Sequence, residues 1–417
     1  MNSLLNFIEN RVAGPMAKLA EQHHLKSVKD GMMVSVPFTI IGSIFILIGN
    51  LPIAAWKEFV MPYQAMLGTI STVTMGILAL LAAGTVAYFS AKHYKDVNLN
   101  PIMVSLVSIS AFLLTTLNEE YVLNTSLFGT RGVFTAIVIA LISASITRFF
   151  VKRNLVIRFP DSVPPMVSSS FMNLVPAAVI LILIWIVRIV LGFDINELLT
   201  SIFSPLVFGL NTLPGFLIFM LIRSLLWSVG IHGGAILSVA DPIFLTMFGE
   251  NLAAFNAGTL PPFITAQGFT MFVFLGGGGA TLPLVFMMMR SKEKGFKALG
   301  RLSLPGSVFE INEPVVFGVP LVLNPMMIIP YVASNLLLSG ITYLLMLLQI
   351  IGRPVVSIPW TMPPILSHYL VTGGDIRAAI WGVISLLLAG AIYYPFFKMM
   401  ERERLAIEQK NNGGINE

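Results

Sequence analysis

The sequence predicts an all-α polytopic membrane protein with about ten transmembrane helices, two re-entrant hairpins and interfacial amphipathic helices. Three observations predict it. Hydrophobic residues make up 56% of the 417 and charged residues only 11%, with a mean hydropathy of +0.85, far outside the range of soluble domains. Apolar runs long enough to cross a bilayer, about 20 residues, recur along the chain. The charges gather between those runs, with Lys and Arg excess on alternate connections, as the bias of basic residues to the cytoplasmic side requires.

Residues 4–24 carry Leu4, Leu5, Ile8, Val12, Met16, Leu19 and Ala20 at helical spacing beside Arg11, Lys18 and Glu21, the pattern of a helix lying in the interface. Lys26 and Lys29 place it inside. The opening residues lack a basic n-region and a small-residue cleavage site, so the N-terminus is expected to be retained. Apolar runs follow at 31–50, 67–90, 99–117 and 131–151. Their connections hold Lys57 with Glu58, then Lys92 and Lys95, then Glu119 and Glu120, then Arg148, Lys152, Arg153 and Arg158. The second and fourth are therefore assigned inside, the first and third outside.

Further spans are expected at 169–192 and 206–228, with Asp194 and Glu197 on an outer loop between them. Residues 229–268 and 303–325 are apolar yet rich in Gly, Pro and polar groups, which reads as re-entrant or interrupted backbone. Spans return at 269–290, 327–350, 354–373 and 376–397. The loop 290–297 and the tail 398–404 both read as inside, which demands an even number of crossings between them. The apolar pattern there offers three spans and one hairpin-like segment, so one of these readings must fail. The tail from 409 onward is expected to be disordered. The organisation expected is a scaffold and dimerisation half over 1–200, a substrate-binding half over 201–400, and a cytoplasmic tail over 401–417.

The net charge of +5 is loop charge, with no basic patch for nucleic acid, and cysteine is absent. Without cysteine the chain has no disulfide, thiolate metal site or cysteine nucleophile. No zinc motif, catalytic triad or nucleotide fingerprint appears, and no cofactor is implied. Gly276-Gly277-Gly278-Gly279 lacks the Lys-Ser/Thr ending of a phosphate loop, and reads as tight helix packing or a hinge.

The chemistry sits in the interrupted segments. Phe309-Glu310-Ile311-Asn312-Glu313-Pro314 puts two carboxylates and an amide in apolar surroundings, where a charge costs at least about 2.5–3.5 kcal/mol and is a functional candidate by default. Pro314 disfavours helical backbone at Glu313. The plainer reading pairs Glu310 or Glu313 with a cation such as Arg223. His232 lies before Gly233 and Gly234, which admit close approach of a ligand to backbone, and its imidazole can donate, accept or shuttle a proton. A buried histidine that is merely hydrogen-bonded is the commoner case. Trp227 and Trp360 fit an interfacial belt or a stacking face for a sugar ring. These residues describe a carrier for a polar, hydroxyl-rich solute, and a proton-coupled sugar or nucleoside carrier fits them equally well.

Ile311-Asn312-Glu313-Pro314-Val315-Val316-Phe317-Gly318-Val319-Pro320, followed by Leu323-Asn324-Pro325, resembles the signature of the membrane-embedded IIC components of sugar phosphotransferase systems, in the lactose, cellobiose and diacetylchitobiose group. Gly230-Ile231-His232-Gly233, Phe159-Pro160-Asp161-Ser162-Val163-Pro164-Pro165 and Gly129-Thr130-Arg131-Gly132-Val133-Phe134 add to the likeness, which covers most of the chain and is nearest to diacetylchitobiose permeases of Gram-positive bacilli. The resemblance implies a multi-pass protein of the bacterial plasma membrane, a homodimer that binds a β-linked disaccharide between re-entrant hairpins. It implies a cytosolic IIB partner whose phosphocysteine, charged through IIA, HPr and enzyme I, phosphorylates the sugar's 6-hydroxyl. The transferase site would then be complete only with that partner. Glu313 falls on the family's glutamate and His232 on its histidine, read here as base and orienter. Asn312, Trp227, Trp360, Gly233, Gly234 and Glu310 are the expected sugar contacts.

Overall fold

The computed structural model describes residues 22–49, 54–157, 159–160, 171–228, 233–319, 321 and 324–413. Among them there are helices and no strands, apart from one isolated bridge between Leu117 and Leu123. The expected interfacial helix at 4–24 lies almost wholly outside the described residues. One buried apolar cluster runs from Val28 to Ala389, and a smaller one gathers near the C-terminal helix.

The first expected span, 31–50, is mainly α2 (Val36–Gly49), preceded by a separate polar helix α1 (His23–Met33). Pro37 lacks the amide that would bond the Met33 carbonyl, so the helix cannot run through. After short helices α3 (Ala54–Val60) and α4 (Gln64–Thr74) comes α5 (Leu78–His93). It packs with α6 (Pro101–Thr115) and α7 (Val133–Lys152). Ala79, Ala83, Ala87 and Ala91 on α5 and Ala136, Ala140 and Ala144 on α7 are all buried. Small side chains repeating every four residues let helix backbones come close, which is how apolar helices associate in lipid. Asn100 starts α6 by accepting from the Ile102 and Met103 amides, with Pro101 in the first turn, where its missing donor costs nothing.

Contacts sort the helix ends into two sets. At one end Asp96 pairs with Arg148 at 2.6 Å and Lys152 at 2.9 Å, joining the second and fourth connections, and His93 meets Asp30 at 3.1 Å. At the other, Arg188 donates to the Leu117 carbonyl and Asn196 to that of Thr115. This joins the third connection to the segment after α8 (Leu174–Trp185).

The first end carries a pH dependence. The His23 ring stacks on Tyr94 at 3.9 Å. Burial first, then the charges of His24, His93 and Arg148, hold its pKa down at about 4 against the opposing pull of Asp96. The unfolded chain takes up that proton near its usual value of about 6.5. Between pH 6.5 and 4 the unfolded state therefore binds more protons, and stability falls as pH falls. Thermal midpoints of the solubilised protein should decline across this window, and His23→Asn should flatten the decline; an unchanged slope would show that His23 does not set it.

Beyond α8, five residues of π-helix end the segment at Val190, and α9 (Ile195–Asn211) turns away at 92°. The expected span at 206–228 is thus only α10 (Leu213–Ser228). Pro214 cannot bond the Leu210 carbonyl, and Thr212 is extended (ψ 150°). The segment expected to be re-entrant at 229–268 is mostly one helix, α11 (Gly233–Asn256).

Two expected spans are not helical spans. Residues 257–281 form no α-helix, only a 3₁₀ turn over Phe269–Phe272 and a glycine loop, before the short α12 (Leu282–Met289). Residues 351–365 are also irregular up to α16 (Leu366–Val371), with Pro354, Pro359, Pro363 and Pro364 removing donors. The Val355 and Val356 amides both bond the Val371 carbonyl, so this stretch doubles back on itself.

The basic loop and the tail lie together. Ser291 donates to Glu401 at 2.5 Å, and Lys398 holds the same carboxylate at 2.6 Å, so loop and tail share one end. From that end α13 (Lys294–Val308) rises, the chain turns at 309–312, and α14 (Glu313–Gly318) leads back. Val319, Leu321 and Met327 then pack with Phe296, Phe397 and Met400, so 294–319 is a hairpin that returns to the end it left. The helices α15 (Pro325–Leu347) and α17 (Ile376–Gly413) are each long and apolar enough to cross. The tail expected to be disordered continues α17 as helix to Gly413. Among the described residues, four helical stretches are long and apolar enough to cross alone, five with the bent pair α8–α9. The remainder of the expected ten would have to come from shorter or broken segments.

Candidate functional site

The tip of the hairpin is built by an unusual helix end. After α13, the Ile311 amide bonds the Gly306 carbonyl and the Glu310 amide that of Ser307, the paired closure of a Schellman turn. That turn needs a left-handed residue, normally Gly. Here it is Glu310, at φ +66°, a conformation costing a side-chain-bearing residue about 1–2 kcal/mol. Strain of this kind persists where surrounding contacts over-determine it.

Those contacts come from the glycine loop. Glu310 Oε2 accepts from the Gly276 amide at 3.0 Å and the Gly277 amide at 2.7 Å. Both glycines have positive φ, which turns successive amides toward one acceptor, the arrangement of an anion-binding nest. Asn312 is 3% exposed and donates to the Gly278 carbonyl at 2.8 Å and Thr281 Oγ1 at 3.1 Å. Thr281 in turn donates to the Gly276 carbonyl. The far side of the loop is held by Asn335 of α15, which accepts from the Gly279 amide and donates to Ser224 of α10. Tyr393 of α17 donates to the Gly279 carbonyl at 2.8 Å. The socket therefore ties the hairpin tip to three helices through satisfied polar groups, which in apolar surroundings specify one arrangement.

Not all the expected site residues meet there. Glu310 does through Oε2 and Asn312 through Nδ2. Glu313 is described by its backbone, which opens α14 directly after Asn312 with Pro314 in the first turn. His232 lies outside the described residues, and Gly233 and Gly234 begin α11. Half-buried Trp227 lines a narrow gap with Ser228, Val316, Leu321, Ile328 and Tyr331, against the returning arm of the hairpin. Trp360 sits on the irregular stretch 351–365 and is 62% exposed. The pairing of Glu310 with Arg223 is replaced: the carboxylate takes backbone amides, and the guanidinium stacks over the Phe274 ring at 3.8 Å. Sequence reasoning missed Asn335, Tyr393 and Thr281, and read the glycines as tight helix packing or a hinge. Asn335 in an otherwise apolar helix was the signal available.

A family profile described as "Phosphotransferase system, EIIC" matches residues 29–334. The "PTS system cellobiose-specific EIIC component" of Geobacillus stearothermophilus is 35% identical, over 98% of this chain and 97% of that protein. The "PTS system lactose-specific EIICB component" of Staphylococcus haemolyticus is 30% identical over the whole chain, which matches 73% of that longer relative. The crystal structure of the transporter ChbC, the IIC component of an N,N'-diacetylchitobiose-specific phosphotransferase system, superposes with a TM-score of 0.92 at 34% identity. The match covers 97% of this chain and 99% of that one.

Proposed function

The chain belongs to the EIIC family of the phosphotransferase system, and from that premise we propose that it carries a β-linked disaccharide whose 6-hydroxyl is phosphorylated as it passes. As an EIIC component it is an integral membrane protein of sugar transport that works with a IIB component. The disaccharide we favour is diacetylchitobiose, with cellobiose second, since relatives named for both sugars align along nearly the full length. Phosphate would come from the IIB phosphocysteine, supplied by IIA, HPr and enzyme I. A chain with no cysteine of its own suits that division of labour. The assembly proposed is a homodimer in the bacterial plasma membrane, its N-terminal halves forming the interface.

One observation carries the reading: Glu313 opens a helix immediately after a polar tip locked at a break in apolar structure. A hydroxyl attacking phosphorus needs a positioned acceptor for its proton. Glu313 is the proposed base, His232 the orienter, and Trp227 and Trp360 are proposed faces for the sugar rings. Asn312 and Glu310 bound the site, bonded to the loop through Nδ2 and Oε2.

Uptake tests the proposal against a proton-coupled carrier. Cells expressing the chain should accumulate phosphorylated disaccharide, and only with the cytosolic relay intact. Accumulation of unmodified sugar driven by a pH gradient in relay-deficient cells would establish the alternative. Binding of diacetylchitobiose, cellobiose, lactose and monosaccharides to purified protein should rank the first two highest.

A further inference from the structure

We infer that Glu310 is a positioning residue, a latch whose carboxylate seats the hairpin tip on the Gly276 and Gly277 amides and thereby fixes where Glu313 stands. The inference rests on the proposed role of Glu313 and assigns Glu310 a different one from contact with sugar.

Three features converge on it. Glu310 holds a left-handed backbone that glycine would adopt without strain, so the side chain must return something glycine could not. Its Oε2 accepts two successive amides at 2.7 and 3.0 Å, bonds that a glycine at this position could not make. The fit is also close on the other side of the tip. A Cβ on Gly277 would lie 2.4 Å from Asn312 Cγ, and φ there is +93°. The latch thus closes against a surface that only bare backbone provides.

The geometry explains why the latch bears on Glu313. Only Ile311 and Asn312 separate them along the chain. The Val315 and Val316 amides bond the Asn312 carbonyl, so α14 grows directly from the latched tip. A tip displaced by about 1 Å would carry Glu313 with it, and misplacement on that scale can cost about 100-fold in rate.

Glu310→Gly separates latch from strain, because glycine keeps the backbone and removes the carboxylate. With phosphorylated IIB and diacetylchitobiose or cellobiose, the expected result is single-turnover phosphorylation slowed about 10- to 100-fold with sugar Kd within about threefold. Hydrogen exchange of residues 274–281 in the full-length solubilised protein should rise at the Gly276 and Gly277 amides. Gly277→Ala should slow transfer similarly, and the double variant should lose little more, since both act through one contact. Wild-type transfer rate in Glu310→Gly, unchanged protection at 274–281, or Kd rising as much as the rate falls would each overturn the inference. The last result would make Glu310 a sugar contact. If the wild-type chain phosphorylates no sugar, the phosphotransfer reading fails by itself. Exchange protection and counterflow of unmodified sugar in proteoliposomes then decide whether the latch exists and matters.

Discussion

Glu313→Gln is expected to slow phosphorylation of the bound disaccharide about 100-fold while leaving its Kd within a few-fold. General-base catalysis contributes about 10²–10⁴-fold. The lower end applies because phosphoryl transfer passes through a loose transition state in which the attacking hydroxyl needs little activation. A 100-fold loss is about 2.7 kcal/mol of transition-state stabilisation. Glutamine keeps the size and one acceptor oxygen of glutamate but cannot take the proton, so binding and chemistry should separate. Quench-flow phosphorylation with phospho-IIB, beside equilibrium binding of the same sugar, reads both quantities. Wild-type rates in this variant would remove Glu313 as the base and leave His232 as the remaining candidate. In a proton-coupled carrier the same substitution would instead abolish accumulation driven by pH and leave counterflow intact.

The contrast between Glu313 and Glu310 shows what the sequence could convey. Both are carboxylates in apolar surroundings, and cost alone marks each as functional. Hydropathy has no term for the partner. That Glu310 faces two glycine amides depends on folding together segments more than thirty residues apart, and no local pattern encodes it. The simple apolar helices were legible: α6, α7, α15 and the membrane part of α17 fall within a few residues of where composition and charge place them, while the run expected at 67–90 is divided between α4 and α5. The failures were at 269–290 and 354–373, where apolar composition was taken for helix although Pro and Gly were present. In lipid, backbone need not be helical where it is buried by protein, so hydropathy identifies depth more reliably than conformation. At 229–268 the expected interruption is only partly present: Pro242 is accommodated inside α11, and the chain leaves the helix after Asn256. The glycine run was seen but misassigned, because its meaning comes from Glu310, Asn312, Asn335 and Tyr393 converging on it.

Gly279→Ala should destabilise the folded protein by about 2–5 kcal/mol. Two costs add. The residue has φ +87°, which charges a side-chain-bearing residue about 1–2 kcal/mol. Its Cβ would lie 2.2 Å from Tyr331 Cδ2 and Cε2, and overpacking a tight interior costs about 1–3 kcal/mol. The ring has little room to retreat, since Tyr331 is 4% exposed and Trp227, Val316, Leu321 and Ile328 crowd its neighbourhood. Gly258→Ala isolates the first cost: it has φ +68° with no atom within 4 Å of the added Cβ, so it should show backbone strain alone, about 1–2 kcal/mol. Thermal midpoints of the solubilised variants should therefore fall in the order wild type, Gly258→Ala, Gly279→Ala. Adding Tyr331→Leu to Gly279→Ala should recover part of the loss by removing the clashing ring atoms. Equal midpoints for the two alanine variants would mean the loop yields to the new methyl group. A socket that yields in this way could not hold the hairpin tip in one place, so this measurement also tests the rigidity on which the position of Glu313 depends.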